Sequence, residues 1–71
     1  MFKIYGKENC QFCTKAKLLL DMKSKEYEYV DITQNTTAYQ MFADKGWRTV
    51  PQIFEDDTHI GGFTELKAYI G

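Results

Sequence analysis

In the first third of the chain, apolar residues first recur at every second position, which is typical of a strand. They then recur at every third or fourth position, which is typical of a helix. "FKIY" alternates apolar with polar or amphipathic residues and stops at Gly6, which predicts a first strand over 2–5. Asn9 is the predicted N-cap of a helix that runs to about Ser24. The apolar residues of this helix recur at i, i+4, i+7 and i+8 and so share one face: Phe12, Ala16, Leu19 and Leu20.

The remaining chain repeats this alternation of strand and helix patterns. "EYEYVDI", rich in aromatic and β-branched residues, predicts a second strand over 26–32. A second helix presents Ala38, Met41 and Phe42 on one face and closes with Gly46, because glycine suits the position just after a helix. "PQIF" and "THI" predict a hairpin that turns at 56–57. A last short helix then follows two glycines, with Thr64 as its cap.

These elements have the order β-α-β-α-β-β-α and form one domain over residues 1–71, without a linker, internal repeat or low-complexity segment. Strands that are joined through a helix are expected to be parallel with a right-handed crossover, whereas the final hairpin is antiparallel. The predicted fold class is therefore α/β, with helices covering a mixed four-stranded sheet. This is the thioredoxin-like fold.

Composition and charge narrow the class of protein. The chain contains no run of about 18 apolar residues, the length needed to span a membrane, and "MFKIYG" lacks the pattern of a signal peptide. Two cysteines are too few for a secreted disulfide framework, so we expect a cytoplasmic protein. The net charge of −1 argues against nucleic-acid binding. Up to Lys25, the chain nevertheless has six lysines and only two carboxylates. These lysines either lie on solvated helix faces or form a basic setting that favours a thiolate or an anionic ligand.

The stretch "ENCQFCTKAK" contains both cysteines, Cys10 and Cys13, where the first strand leads into the first helix. A structural zinc site needs four ligands, and beyond the two cysteines only His59 is available as a histidine. A purely structural disulfide would close a very short loop and remove little entropy from the unfolded chain. Redox chemistry explains the placement better, because a helix N-terminus favours a thiolate at the first sulfur and the second lies one turn along. The pair is therefore predicted to exchange electrons, and no metal is predicted.

Three separated blocks, "CQFC", "TVPQIF" and "HIGGFTEL", together resemble the glutaredoxin family over nearly the whole chain. The resemblance implies a glutathione-dependent thiol–disulfide oxidoreductase that reduces protein disulfides and glutathione mixed disulfides. Cys10 would be the nucleophile and Cys13 the resolving thiol. Glutathione would be the co-substrate, with no permanently bound group. Ribonucleotide reductase would be a protein partner, and the enzyme would be a monomer.

The resemblance also implies a glutathione site. A cis Val50–Pro51 bond would leave the backbone of Val50 free to pair with glutathione, and "GGFTE" would offer backbone N–H groups to its γ-glutamyl carboxylate. Lys7 or Arg48 would pair with the glycyl carboxylate. Each of these features taken alone also fits an ordinary trans proline, a tight turn or a solvated charge. The full predicted set comprises Lys7, Phe12, Arg48, Thr49, Val50, Pro51, Gly62, Phe63, Thr64 and Glu65.

The sequence departs from the family pattern in two places. Gln11 and Phe12 stand between the cysteines where Pro-Tyr is usual, which leaves the redox potential open, and Glu65 replaces a more usual aspartate. His59 is interpreted as structural. Two alternatives stay open: a glutaredoxin-like redoxin reduced by thioredoxin reductase, disfavoured by "GGFTE", and a carrier of an iron–sulfur cluster, disfavoured by Phe12 and Cys13.

Overall fold

The computed structural model describes residues 1–71 and contains the seven elements predicted, in the predicted order. Their bounds differ from the sequence-based ones by two residues at most. No helix is both long and apolar enough to cross a membrane. The elements are β1 (Phe2–Gly6), α1 (Gln11–Met22), β2 (Tyr27–Asp31), α2 (Thr36–Lys45), β3 (Gln52–Glu55), β4 (Thr58–Gly61) and α3 (Phe63–Ile70).

The four strands form one mixed sheet in the order β2-β1-β3-β4, which confirms the predicted thioredoxin-like arrangement. β1 is parallel to β2, and β3 is antiparallel to both β1 and β4. The register between β3 and β4 shifts at Ile53/Phe54, so the hairpin is irregular there. β1 lies inside the sheet, and the chain that leaves its carboxyl end leads directly into α1.

Side chains of β1 alternate between the two faces of the sheet, as a strand requires. One face packs against α1 and α3 in a core of six buried residues: Phe2, Ile4, Ala16, Leu20, Ile53 and Leu66. The other face carries Tyr5, which contacts Phe42 of α2 and Phe54 of β3 edge to face. The sheet therefore lies between α1 and α3 on one side and α2 on the other.

Three predictions about helix ends are wrong. The N-cap of α1 is Cys10 rather than Asn9, whose φ of 56° places it in the left-handed region that asparagine tolerates. α1 ends at Met22 rather than near Ser24. α3 is capped by Gly62 rather than Thr64, because the helix begins two residues earlier than predicted. Gly46, with φ 72°, does end α2 as predicted.

Phe12 does not belong to the buried stripe of α1, since half of the residue is exposed. The buried residues of α1 are Cys13, Ala16 and Leu20, at i, i+3 and i+7. Phe12 instead stacks on Phe63 of α3 with ring centroids 6.0 Å apart. The second cysteine therefore occupies the core-facing position that the periodicity assigned to phenylalanine.

Candidate active site

Cys10 and Cys13 lie at the N-terminus of α1, just beyond the end of β1, and are joined as a disulfide with Cα atoms 5.2 Å apart. The two residues differ in access to solvent. Cys10 is half-buried, whereas Cys13 is 1% exposed because it faces the core below α1. A molecule that approaches from solvent therefore meets the sulfur of Cys10 first.

Cys10 caps α1 with its own sulfur. The backbone N–H of Cys13 donates to Cys10 Sγ at 3.2 Å, in the position where the oxygen of a serine or aspartate usually accepts. The backbone N–H and the hydroxyl of Thr14 both donate to the carbonyl of Cys10, at 3.1 and 3.2 Å. The first turn of α1 contains no acidic residue that would oppose a negative charge. Once reduced, Cys10 thus has a donor and a helix N-terminus to stabilise its thiolate.

Gly6 and Tyr29 form the floor under Cys13. An ideal Cβ built on Gly6 would lie 2.8 Å from Cys13 Sγ and 2.9 Å from Tyr29 Cζ, so only glycine leaves room there. The Tyr29 hydroxyl donates to the carbonyl of Lys7 at 3.0 Å. Burial, with a smaller effect from Asp31, raises the pKa of Tyr29, which keeps this donor protonated at neutral pH. Tyr29 thereby holds the loop that approaches the cysteines.

The loop before β3 runs beside the cysteines. Its Val50–Pro51 peptide bond is cis, as the resemblance implied. The carbonyl oxygen of Val50 lies 3.9 Å from Cys10 Sγ, and Pro51 is buried. The backbone of Val50 is therefore next to the accessible sulfur.

Two clefts meet at Val50, and between them they are lined by all ten residues of the predicted glutathione site. Lys7 and Arg48 line the cleft on the α2 side, together with Val50. The cleft on the α3 side is lined by Phe12, Thr49, Val50, Pro51, Gly62, Phe63, Thr64 and Glu65. The structure thus brings together residues that lie up to 58 positions apart in the sequence (Lys7 to Glu65).

Three aromatic residues of the α2-side cleft were missed by sequence reasoning. Tyr39, Phe42 and Trp47 line it beside Lys7 and Arg48. Their spacing carried a signal, because Tyr39 and Phe42 are three residues apart on α2 and Trp47 directly follows the glycine that ends this helix. This cleft is therefore apolar with two cations, whereas the α3-side cleft is more polar.

Glu65 changes the anion site expected at the start of α3. Its carboxylate oxygen Oε1 accepts the backbone N–H of Gly62 at 2.8 Å, so one of the N–H groups predicted to bind the anion in "GGFTE" is already engaged within the protein. The N–H groups of Phe63 and Thr64 occupy the first two positions of the helix, where no residue four positions earlier within the helix can accept from them. These two groups are therefore free to donate to a ligand.

No group of three or more His, Cys, Asp or Glu side chains lies close enough together to hold a metal ion. The chemistry that the site can perform is carried by the cysteine pair itself. One sulfur is accessible and, once reduced, has a donor and a helix N-terminus to stabilise its thiolate, and the other is sheltered and bonded to the first.

Comparison with known proteins gives consistent similarities over most of the chain. The glutaredoxin family model matches residues 2–60. Glutaredoxin 1 of Escherichia coli strain K12 is 40% identical over 75 aligned residues, which cover 94% of this chain and 88% of that protein. The solution structure of a glutaredoxin from Brucella melitensis has a TM-score of 0.78 and 33% identity, covering 97% of this chain and 76% of the other. A crystal structure of a buckwheat glutaredoxin–glutathione complex has a TM-score of 0.81 and 25% identity, covering 97% and 66%.

Proposed function

Because the chain belongs to the glutaredoxin family, we propose that it is a glutathione-dependent oxidoreductase that reduces protein disulfides and glutathione mixed disulfides. One observation carries this proposal. The accessible sulfur of Cys10 lies at a helix N-terminus and beside the backbone of Val50, where two clefts meet. Such an arrangement suits a short peptide thiol that binds in extended form across Val50 and places its sulfur on Cys10.

Reduction of a disulfide R–S–S–R′ takes two exchange steps. The Cys10 thiolate attacks one substrate sulfur, a Cys10–S–S–R bond forms, and R′–S⁻ leaves. The Cys13 thiolate then attacks the Cys10 sulfur, which forms the internal disulfide seen in the structure and releases R–S⁻. The two cysteines are oxidised by two electrons, and the substrate is reduced by two.

Glutathione regenerates the dithiol by the reverse sequence. A glutathione thiolate attacks Cys10 Sγ, since Cys13 is 1% exposed, and Cys13 leaves as its thiolate. A second glutathione attacks the bound glutathione sulfur, so that glutathione disulfide departs and the Cys10 thiolate is restored. Stabilisation of that thiolate by the Cys13 N–H makes Cys10 a good leaving group in this last step.

Glutathione would bind with its backbone along Val50 and its two carboxylates in opposite clefts. The γ-glutamyl carboxylate meets the N–H groups of Phe63 and Thr64, and the glycyl carboxylate meets Lys7 or Arg48. The similar buckwheat structure, a complex with glutathione, supports this ligand. Ribonucleotide reductase as the protein substrate and a monomeric state belong to the same proposal and rest on family resemblance. A cytoplasmic location belongs to it as well and rests on the small number of cysteines.

The test is a coupled assay on a small glutathione mixed disulfide, with glutathione and glutathione reductase in one arm and thioredoxin reductase in the other. Turnover in the first arm and none in the second is expected. Cys10→Ser should abolish activity, whereas Cys13→Ser should retain turnover of the mixed disulfide and lose reduction of protein disulfides that need both thiols. Activity only with thioredoxin reductase would replace the proposal with the alternative redoxin function. A brown dimer after anaerobic purification would indicate the cluster carrier.

A further inference from the structure

Gln52 is the one polar side chain that the fold buries, with 8% exposed, and both ends of its amide are hydrogen-bonded. It directly follows Pro51 and reaches back over the cis bond. Its Nε2 donates to the carbonyl of Thr49 at 3.2 Å and contacts Thr49 Oγ1 at 3.3 Å. Its Oε1 lies 2.8 Å from His59 Nε2 on β4. The side chain thus connects the loop beside the cysteines to the neighbouring strand.

The direction of each hydrogen bond follows from the network. A carbonyl oxygen only accepts, so the NH₂ end of Gln52 faces Thr49 and its oxygen faces His59. His59 Nε2 must therefore carry a proton, which it does in the cation and in one neutral tautomer. The His59 ring is fixed by stacking on Trp47, with centroids 4.6 Å apart, and by contact with Phe54 at 4.9 Å. The Thr49 carbonyl and the fixed His59 ring thus hold the Gln52 amide between them.

The Thr49 carbonyl, which accepts a hydrogen bond from Gln52, belongs to the same peptide unit as the N–H of Val50. A peptide unit is planar, and in its trans form the C=O and N–H point in opposite directions. Only the next bond, Val50–Pro51, is cis. Fixing the Thr49 carbonyl therefore fixes the direction in which the Val50 N–H points.

We infer that Gln52 and His59 are positioning residues that aim the Val50 N–H at the backbone of a bound peptide thiol. The inference deepens the proposed function and rests on it, because it names the two residues that hold the Val50 N–H in place for the backbone of glutathione. Thr49 and His59 are exposed, so water can replace their hydrogen bonds when Gln52 is changed. The cost in stability is then small, whereas the fixed direction of the peptide is lost.

The test compares Gln52→Met and His59→Phe with a matched control. Met approximates the length of Gln without its donor, and Phe keeps the stacking on Trp47. The control is Gln40→Met, the same substitution at an exposed site on α2, where the amide only reaches Asp44. For Gln52→Met the KM for a small glutathione mixed disulfide should rise roughly fivefold with kcat within about twofold of wild type, since one bond common to ground and transition states is weakened. His59→Phe should change KM in the same direction by a smaller factor, and Gln40→Met should not change it.

A ligand-free measurement separates this inference from the proposed function. The ¹⁵N–¹H resonance of Val50 should shift or broaden in Gln52→Met and in His59→Phe but not in Gln40→Met. An unchanged KM in folded Gln52→Met, or a Val50 resonance that matches wild type in both variants, overturns the inference. If wild type showed no turnover with glutathione while the resonance moved as expected, the proposed function would fail and the support of Val50 by Gln52 would stand. If Gln52→Met does not fold, His59→Phe decides by the same two readouts.

Discussion

Replacing Gly6 by alanine places one methyl group under the cysteine pair. Its Cβ would be 2.8 Å from Cys13 Sγ, 2.9 Å from Tyr29 Cζ and closer still to the Tyr29 hydroxyl, all nearer than real Cβ atoms approach their neighbours. Neither neighbour is free to move away. Cys13 is buried against the core, and the Tyr29 hydroxyl is bonded to the carbonyl of Lys7. The substitution must therefore displace the resolving sulfur, the tyrosine or the end of β1.

Adding a methyl group to such a packed site costs about 1–3 kcal/mol. For a domain of this size, each kcal/mol lowers Tm by roughly 4–8 °C, so a cost of about 2 kcal/mol corresponds to a fall of about 8–16 °C. Displacement of Cys13 should also slow its attack on a mixed disulfide at Cys10. That attack requires the two sulfurs to come within bonding distance.

Gly46→Ala is the matched control for Gly6→Ala. Gly46 has nothing within 4 Å of its Cβ position, but its φ of 72° strains any other residue, so alanine there should cost about 1 kcal/mol through the backbone alone. Thermal unfolding of both oxidised variants gives the stability change. Rapid acid quench and mass spectrometry then measure how fast a mixed disulfide at Cys10 converts to the internal disulfide. Both variants should lose stability, and only Gly6→Ala should lose conversion rate. A Gly6→Ala protein that melts within about 2 °C of wild type and forms the internal disulfide at the same rate would refute the close packing of Gly6 against Cys13 and Tyr29.

Three further results are expected. Alkylation of Cys10 by iodoacetamide in reduced Cys13→Ser protein should have a midpoint below the value of about 8.5 for a free thiol, because the helix N-terminus stabilises the thiolate; a midpoint at or above 8.5 contradicts this. Hydrogen bonds from the hydroxyl and N–H of Thr33 lower the pKa of Asp31. Asp31 therefore stabilises the fold above its unfolded value of about 3.9, and this contribution is lost as the pH falls through its lower folded pKa. Urea unfolding of wild type and Asp31→Asn between pH 7 and pH 2 should show a wild-type advantage that shrinks below about pH 4, and a constant difference would refute this assignment. Glu65→Ala should cost about 1 kcal/mol by removing the acceptor at the start of α3, whereas Glu65→Gln, which retains an acceptor oxygen, should lose less; equal losses would contradict the capping role.

The order of elements could be predicted because each depends on local patterns. The strand at β1 stops at a glycine, α2 ends at Gly46, and the hairpin turns at Asp56, whose φ is 52°. The position of Cys10 at a helix N-terminus follows from the same local reasoning. The predicted glutathione residues came from three sequence blocks rather than from periodicity, and the fold brings these blocks together around Val50.

What the sequence did not reveal depends on tertiary contacts. Asn9 and Cys10 can both cap a helix, and only the packing of Cys13 against the core decides between them. Phe12 is exposed because the core-facing side of α1 is formed by Cys13, Ala16 and Leu20, which leaves Phe12 at the edge of that face. The link from Gln52 to His59 joins side chains on two strands, and no local pattern predicts such a contact.

The unequal exposure of the two sulfurs also decides which of them a peroxide meets first. A peroxide that reaches the site oxidises Cys10 first, since Cys13 is 1% exposed, and produces a sulfenic acid. In the reduced protein the Cys13 thiol can condense with that sulfenic acid and release water, which gives the internal disulfide of the structure, a state that a thiol reductant reverses.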